Sequence, residues 1–203
     1  MKNLGIVIVD MQDRFRSCMM NNFNELMEAH KNTIQFGKEN NLPIFYLEYQ
    51  IEGSHRDPKI MTIQEIKNEL GNYSKTKRIR KYSDNGFFAI KDNRGNFLPY
   101  EEGNYFLKGE NLFDLELKKE KINKIIFTGV NRSSCVLETA SEAKNRGYSV
   151  YTSKDLMNNP VEKDWFTENV KYFNSHKELI YYFSKGIVTK FFDKPLLSPK
   201  NSH

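Results

Sequence analysis

Three side chains that could carry out nucleophilic or acid–base chemistry, Asp10, Lys81 and Cys135, each lie near or just beyond the end of a predicted strand of this 203-residue chain. A thiolate can attack a carbonyl carbon, a carboxylate can accept the thiol proton, and an ammonium group stabilises both negative charges. In open parallel sheets, ligands bind outside the carboxyl ends of the strands. If the three strands belong to one such sheet, the three groups meet at one edge and form a candidate hydrolytic site.

Cys135 is the stronger candidate of the two cysteines. It follows the apolar segment 124–130 and is predicted to begin a helix that ends before Gly147. A thiol at the N-terminus of a helix is expected to have a lowered pKa, and free N–H groups there can bind an oxyanion. A lone cysteine is also commonly a small buried apolar residue, so both interpretations stay open. Cys18 lies in polar sequence and is the weaker candidate.

The other polar groups also have simpler interpretations. Asp10 could cap a helix or begin a turn, and Lys81 taken alone is one exposed base among many. The four histidines all fall in segments predicted to be helix or loop, so the sequence does not indicate a Cys–His pair. They are His30, His55, His176 and His203.

Length, charge and cysteine content exclude several classes of protein. A chain of 203 residues fits one domain, which we place at 1–195 with a flexible tail at 196–203. The net charge of +5 arises from basic residues scattered among acidic ones, without a basic stripe, so no nucleic-acid partner is expected. Two cysteines are too few for a disulfide framework. No segment resembles a signal peptide or reaches the ~18 apolar residues of a membrane span, so we expect a soluble, cytoplasmic protein without a membrane partner.

Predicted strands alternate with predicted helices along the chain. The strands are predicted at residues 4–9, 43–49, 78–82, 124–130, 148–152 and 187–190, and the helices at 23–38, 63–70, 112–119, 135–146 and mostly over 165–183. This alternation predicts an α/β fold with a doubly wound, mostly parallel sheet and helices on both faces. Residues 88–107 interrupt the pattern with two short predicted strands around a turn at 92–95. We interpret that segment as a β-hairpin insertion near the rim of the sheet.

Three segments resemble motifs of the isochorismatase-like family of cysteine hydrolases. Residues 6–15 read IVIVDMQDRF and are similar to the opening strand of the family, which ends in D-x-Q-x-x-F. Residues 128–148 read TGVNRSSCVLETASEAKNRGY and resemble its nucleophile segment. Residues 81–87, KYSDNGF, resemble the segment that carries the catalytic lysine. The insertion lengthens the usual interval between lysine and cysteine, so Lys91 and Lys108 remain rivals of Lys81.

The resemblance implies a hydrolase that cleaves a C–N bond of a small amide, with Cys135 as nucleophile, Asp10 as proton shuttle and Lys81 as their electrostatic partner. It also implies an oxyanion site made of the backbone N–H groups of Asn131 and Cys135, with a cis peptide bond at Val130–Asn131. The expected partners are a small-molecule substrate and further copies of the chain in a homo-oligomer. Phe15, Gln50 and Phe87 are candidates for the substrate pocket, although ordinary packing explains them equally well.

The nicotinamidase branch of the family carries a D-x-H metal motif after its second strand, and this chain departs from it. The matching residues are Glu48, Tyr49 and Gln50, with His55 nearby. A glutamine is a poor substitute for an imidazole in a transition-metal site. We therefore expect no metal and no cofactor. Two alternatives stay open: a zinc-dependent nicotinamidase-like enzyme, and a non-catalytic binding protein on the same fold.

Overall fold

The computed structural model describes residues 1–50, 61–81, 83–88, 90–91, 110–158 and 170–192. Its centre is a six-stranded sheet in the order β3-β2-β1-β6-β7-β8, in which every neighbouring pair is parallel. The strands are β1 (Leu4–Val9), β2 (Ile44–Tyr49), β3 (Thr76–Lys81), β6 (Lys124–Gly129), β7 (Ser149–Ser153) and β8 (Lys171–Phe173). The chain therefore forms the mostly parallel α/β sheet that its alternating pattern predicts.

Helices cover both faces of this sheet. They are α1 (Arg16–Met19), α2 (Phe23–Glu39), α3 (Gln64–Leu70), α4 (Leu112–Lys119), α5 (Leu137–Asn145) and α6 (His176–Phe192). One apolar core contains residues of α2, α3 and α6, and the other contains residues of α4 and α5. The sheet is thus doubly wound, with one core on each side.

The central position of β1 in the sheet explains why its sequence is apolar throughout. All six of its residues are buried. Side chains alternate across a strand, so Val7 and Val9 join one core while Ile6 and Ile8 join the other. A strand covered on both faces has no solvent side, and the continuous run LGIVIV meets that requirement.

Two predictions for the C-terminal part of the chain are wrong. Residues 187–190, predicted as the last strand, lie inside α6, and the edge strand is instead β8, within the segment predicted to be helical. Leu179 and Phe183 are four residues apart and therefore lie on one face of a helix, where both are buried. The Phe183 ring packs edge-on against Tyr151 of β7, with 4.9 Å between ring centroids. This packing favours a helix despite the β-branched residues that follow.

The predicted insertion is described only at its two ends. The short strands β4 (Ile90–Lys91) and β5 (Glu110–Asn111) pair in the antiparallel sense. The predicted turn at 92–95, Lys108 and the predicted tail at 196–203 lie outside the described residues. Within the described part of the chain, no helix is both long and apolar enough to cross a membrane.

Candidate active site

Asp10 ends the central strand and lies at the carboxyl edge of the sheet. Its backbone N–H donates to the carbonyl of Leu47 on β2 at 3.0 Å, and its side chain has no solvent exposure. Its φ of +50° lies in the left-handed region, which Asp tolerates better than most residues. The chain therefore turns sharply at the residue that the sequence singles out as a base.

Lys81, the last residue of β3, forms a buried ion pair with Asp10. Its Nζ lies 2.7 Å from Asp10 Oδ2, and neither side chain is exposed. The same ammonium donates to the carbonyls of Ser83 at 2.9 Å and Asp84 at 3.1 Å. A buried charge is tolerated only when it is paired and hydrogen-bonded, and Lys81 meets both conditions. Lys91 is described only in its backbone, within β4, and Lys108 is not described.

Cys135 follows β6 on a short connection that begins with a cis peptide bond between Val130 and Asn131, at the position implied by the family resemblance. Residues Arg132–Val136 form one turn of π-helix, and α5 begins only at Leu137. Cys135 thus lies in the turn that leads into the helix, not at its first α-helical residue as predicted. Its side chain is buried.

Backbone geometry brings this connection against Asp10. Gly129 has a φ of +124°, and a Cβ at that position would overlap the backbone of Val9. The N–H of Val130 donates to the Val9 carbonyl at 2.9 Å. The two chain segments that follow β1 and β6, and that carry Asp10 and Cys135, are therefore in direct backbone contact.

The pKa of the Cys135 thiol is shifted upward, whereas its place before a helix predicts a downward shift. Burial raises it to about 12, the negative charges of Asp10 and Asp84 act in the same direction, and the positive charge of Lys81 opposes them. Loss of hydration is the largest of these effects. Burial also raises the pKa of Asp10, against the opposing charge of Lys81. The resting thiol therefore keeps its proton and needs a base, and a carboxylate with a raised pKa is a stronger base.

The three residues predicted for the substrate pocket have different surroundings. Phe15 lies edge-on to Tyr49, with 6.4 Å between ring centroids, and Lys81 Nζ lies 5.0 Å from the Tyr49 ring on this side of the sheet. Gln50 is 3% exposed, and its N–H donates to the Lys81 carbonyl at 2.8 Å. Its side-chain Nε2 has no hydrogen-bond partner among the residues that the structure describes. An unsatisfied buried amide beside Lys81 could bind an acceptor on a substrate.

Phe87 is packed in the core instead. It is 1% exposed, and its ring lies 4.8 Å from that of Phe113 and 6.0 Å from that of Tyr148. Ordinary packing therefore describes the surroundings of Phe87.

Asn131, the other predicted oxyanion-site residue, has its side chain held by a hydrogen bond. Its side-chain oxygen accepts from Asn158 Nδ2 at 2.9 Å.

Asp84 is a residue of the site that the sequence motifs did not identify. Its Oδ1 accepts from the Cys135 thiol at 3.5 Å, and its Oδ2 accepts from Ser134 at 2.6 Å. In the sequence it belongs to Ser83-Asp84-Asn85-Gly86, a composition typical of a turn. The available signal was its position three residues after the candidate lysine.

The residues that stand at the D-x-H metal motif do not fit a Zn²⁺ ion. Glu48 Oε1 accepts from the N–H and the hydroxyl of Thr62, at 2.9 and 2.7 Å. Its Oε2 accepts from Arg78 at 2.6 Å, so both oxygens are engaged and the charge is neutralised. Gln50 stands where the motif has an imidazole, and His55 is not described. Over the ranges given above, no group of three or more His, Cys, Asp or Glu side chains could hold a metal.

A parallel doubly wound sheet with these groups at its carboxyl edge defines an open α/β architecture with a candidate hydrolytic site. Residues 5–176 match the isochorismatase domain, and the chain belongs to that family. No curated protein matches the sequence significantly.

Several solved structures share the fold at low sequence identity. An isochorismatase-like hydrolase from Alkaliphilus metalliredigens is 17% identical, with a TM-score of 0.66 over 89% of this chain and 99% of the other. The N-carbamoylsarcosine amidase of Thermoplasma acidophilum is 20% identical, with a TM-score of 0.61 over 85% and 95%. The nicotinamidase of Staphylococcus aureus is 16% identical, with a TM-score of 0.58 over 93% and 96%. The family thus includes amidases, and these likenesses establish the fold.

Proposed function

We propose that the protein hydrolyses a C–N bond of a small amide through a thioester on Cys135. The observation that carries the proposal is the buried Asp10–Lys81 ion pair, 2.7 Å long, whose two charges both act on the Cys135 thiol. A thiol with a raised pKa is unreactive alone, and a fixed carboxylate beside it is the feature that would make it a nucleophile. Membership of a hydrolase family that includes an N-carbamoylsarcosine amidase supports the same reaction.

Acylation begins with proton transfer from Cys135 Sγ to Asp10, while Lys81 stabilises the negative charge first on the carboxylate and then on the sulfur. The thiolate attacks the carbonyl carbon, and the backbone N–H groups of Asn131 and Cys135 stabilise the oxyanion. Asp10 then returns its proton to the departing nitrogen, the C–N bond breaks, and ammonia or an amine leaves. The acyl group remains on sulfur as a thioester.

Deacylation uses the same base. Asp10 accepts a proton from a water molecule, the hydroxide formed attacks the thioester carbonyl, and the C–S bond breaks. The sulfur regains the proton from Asp10, and a carboxylic acid is released, which ionises in solution. Gln50, whose buried Nε2 has no hydrogen-bond partner among the described residues, is the side chain that could hold a polar group of the substrate.

Ammonia release from a panel of small linear amides tests the proposal. We expect at least one amide to be hydrolysed by the wild-type protein and by Cys18→Ala, which removes the other cysteine, and none by Cys135→Ala. Ammonia release by Cys135→Ala at the wild-type rate would contradict a thioester mechanism. Failure of the wild type on every amide, with Cys135 inert to acylating reagents, would favour a non-catalytic binding protein. The homo-oligomer is a separate prediction, which light scattering of the purified chain tests.

A further inference from the structure

The carboxylate of Asp84 is an exposed group held against the nucleophile. Its two oxygens contact Cys135 Sγ and Ser134 Oγ, as described above. Its backbone carbonyl accepts from Lys81 Nζ at 3.1 Å and from Thr139 Oγ1 at 3.3 Å. Backbone and side chain are thus both tethered, although the residue itself is exposed. A solvent-accessible carboxylate therefore lies within contact distance of the buried thiol.

The charges around the thiol do not cancel. Lys81, Asp10 and Asp84 are the charged groups that act on Cys135. Lys81 and Asp10 neutralise each other at 2.7 Å, below the surface. Asp84 forms no ion pair with any described residue. Arg14, the cation stacked on Phe15 and Tyr49, makes no contact with it among the described residues. Within the described residues, one negative charge at the thiol therefore has no paired cation.

We propose that Asp84 is a specificity residue that makes this site prefer substrates whose acyl part carries a cationic or N–H-rich group, such as an ammonium or guanidinium, near the scissile amide. Binding of such a group would replace the bond from the thiol, a weak donor at 3.5 Å, with a bond between two oppositely charged groups. Removing that thiol bond leaves the thiol proton free to go to Asp10. A substrate with a carboxylate in the same place meets like-charge repulsion at the nucleophile. The proposal rests on the proposed amidase function for its substrate class, but its electrostatic part does not.

The electrostatic part can be tested without any substrate. The probes are two methanethiosulfonates of similar size, one with a trimethylammonium group and one with a sulfonate, applied to the Cys18→Ala protein so that Cys135 alone reacts. We expect the ratio of the cationic to the anionic rate at Cys135 to exceed that of glutathione by ~10-fold or more, since a unit charge within ~5 Å is worth at least a factor of ten at intermediate dielectric. Asp84→Asn keeps the acceptor for Ser134 and should lower the ratio ~10-fold.

The matched control is Glu142→Gln, which removes a carboxylate bonded to Arg146 on the helix that follows Cys135. It should leave the rate ratio unchanged. A purely structural role of Asp84 would lower both rates together and leave their ratio intact. An unchanged ratio in Asp84→Asn, or a wild-type ratio equal to that of glutathione, overturns the proposal.

Three amides of nearly equal size extend the test to turnover: β-alaninamide (cationic), butyramide (neutral) and succinamate (anionic). We expect kcat/KM to fall in that order, and Asp84→Asn to compress the range ~10-fold or more. A preference for succinamate that survives Asp84→Asn contradicts the proposal. If none of the three releases ammonia, the amidase proposal loses support, whereas the labelling ratio still decides the role of Asp84.

Discussion

Removing one charge of the buried Asp10–Lys81 pair should be costly, and removing both should cost less than the sum of the two single losses. Asp10→Asn leaves a buried ammonium without a counter-charge, although the carbonyls of Ser83 and Asp84 still accept from it. Lys81→Met leaves a buried carboxyl without its cation. Breaking a buried pair by removing one partner costs ~3–5 kcal/mol. We expect Asp10→Asn to fall at the low end, because Lys81 keeps two acceptors.

The double variant Asp10→Asn/Lys81→Met carries no buried charge, so its cost should be below the sum of the two single costs by ~1–3 kcal/mol. For a chain of this length each kcal/mol shifts Tm by ~2–4 °C, so each single variant should melt ~6–20 °C lower. The exposed acid Asp13, paired with Arg16 at 3.1 Å, supplies the control: Asp13→Asn should cost less than ~1 kcal/mol.

Urea unfolding followed by circular dichroism at pH 7 gives the four free energies of unfolding from which the coupling is calculated. The comparison is valid if the m-value, the slope of the free energy of unfolding against urea concentration, is the same in the four proteins. Additivity within ~0.5 kcal/mol, or single variants as mild as Asp13→Asn, would refute the description of this pair as a buried, mutually dependent unit.

Three further results are expected from features around the site. Gly129→Ala should destabilise the fold by several kcal/mol, because its Cβ would overlap the Val9 backbone. The control is Gly147→Ala, at a residue with a positive φ but open space around it, which should cost only ~1–3 kcal/mol in the same unfolding assay. Burial lowers the pKa of His30 to about 4, so between that pH and its ordinary 6.5 the unfolded chain binds the extra proton. Stability should therefore decline by up to ~3 kcal/mol as the pH falls from 7 to 4, and His30→Gln should lack this decline in urea titrations at the two pH values. Activity should also fall at acid pH, as Asp10 becomes protonated and can no longer accept the thiol proton. Because burial raises the pKa of Asp10, the midpoint of kcat/KM against pH should lie above the 3.8 of an ordinary Asp.

Most of the sheet was predictable from sequence because β1, β2 and β6 are largely apolar and the strands alternate with helices. The prediction was wrong at residues 171–173 and 187–190. At 187–190, tertiary packing of Leu179 and Phe183 decides for helix and local β-propensity does not. The spacing of apolar residues does not indicate which strand lies at the edge of a sheet. It also did not distinguish β8 from the helix that follows it.

The site was predictable only in its parts. Motif resemblance drew attention to Asp10, Lys81 and Cys135, but the protonation state of the thiol depends on its depth and its neighbours, which no spacing rule contains. The rule that a helix N-terminus lowers a thiol pKa gave the wrong direction, since burial and two carboxylates raise the pKa of Cys135. Asp84 has the appearance of a turn residue in the sequence, and only the fold places it on the nucleophile.

The most direct test of the account is single-turnover kinetics followed by intact-mass spectrometry, with an amide that the panel identifies. The wild-type protein should show a transient mass increase equal to the acyl group, located on Cys135 by peptide mapping. Asp10→Asn should acylate ~10²–10⁴-fold more slowly, the usual contribution of a positioned base. Acylation of Asp10→Asn at the wild-type rate, or full turnover without any adduct on Cys135, would contradict the account.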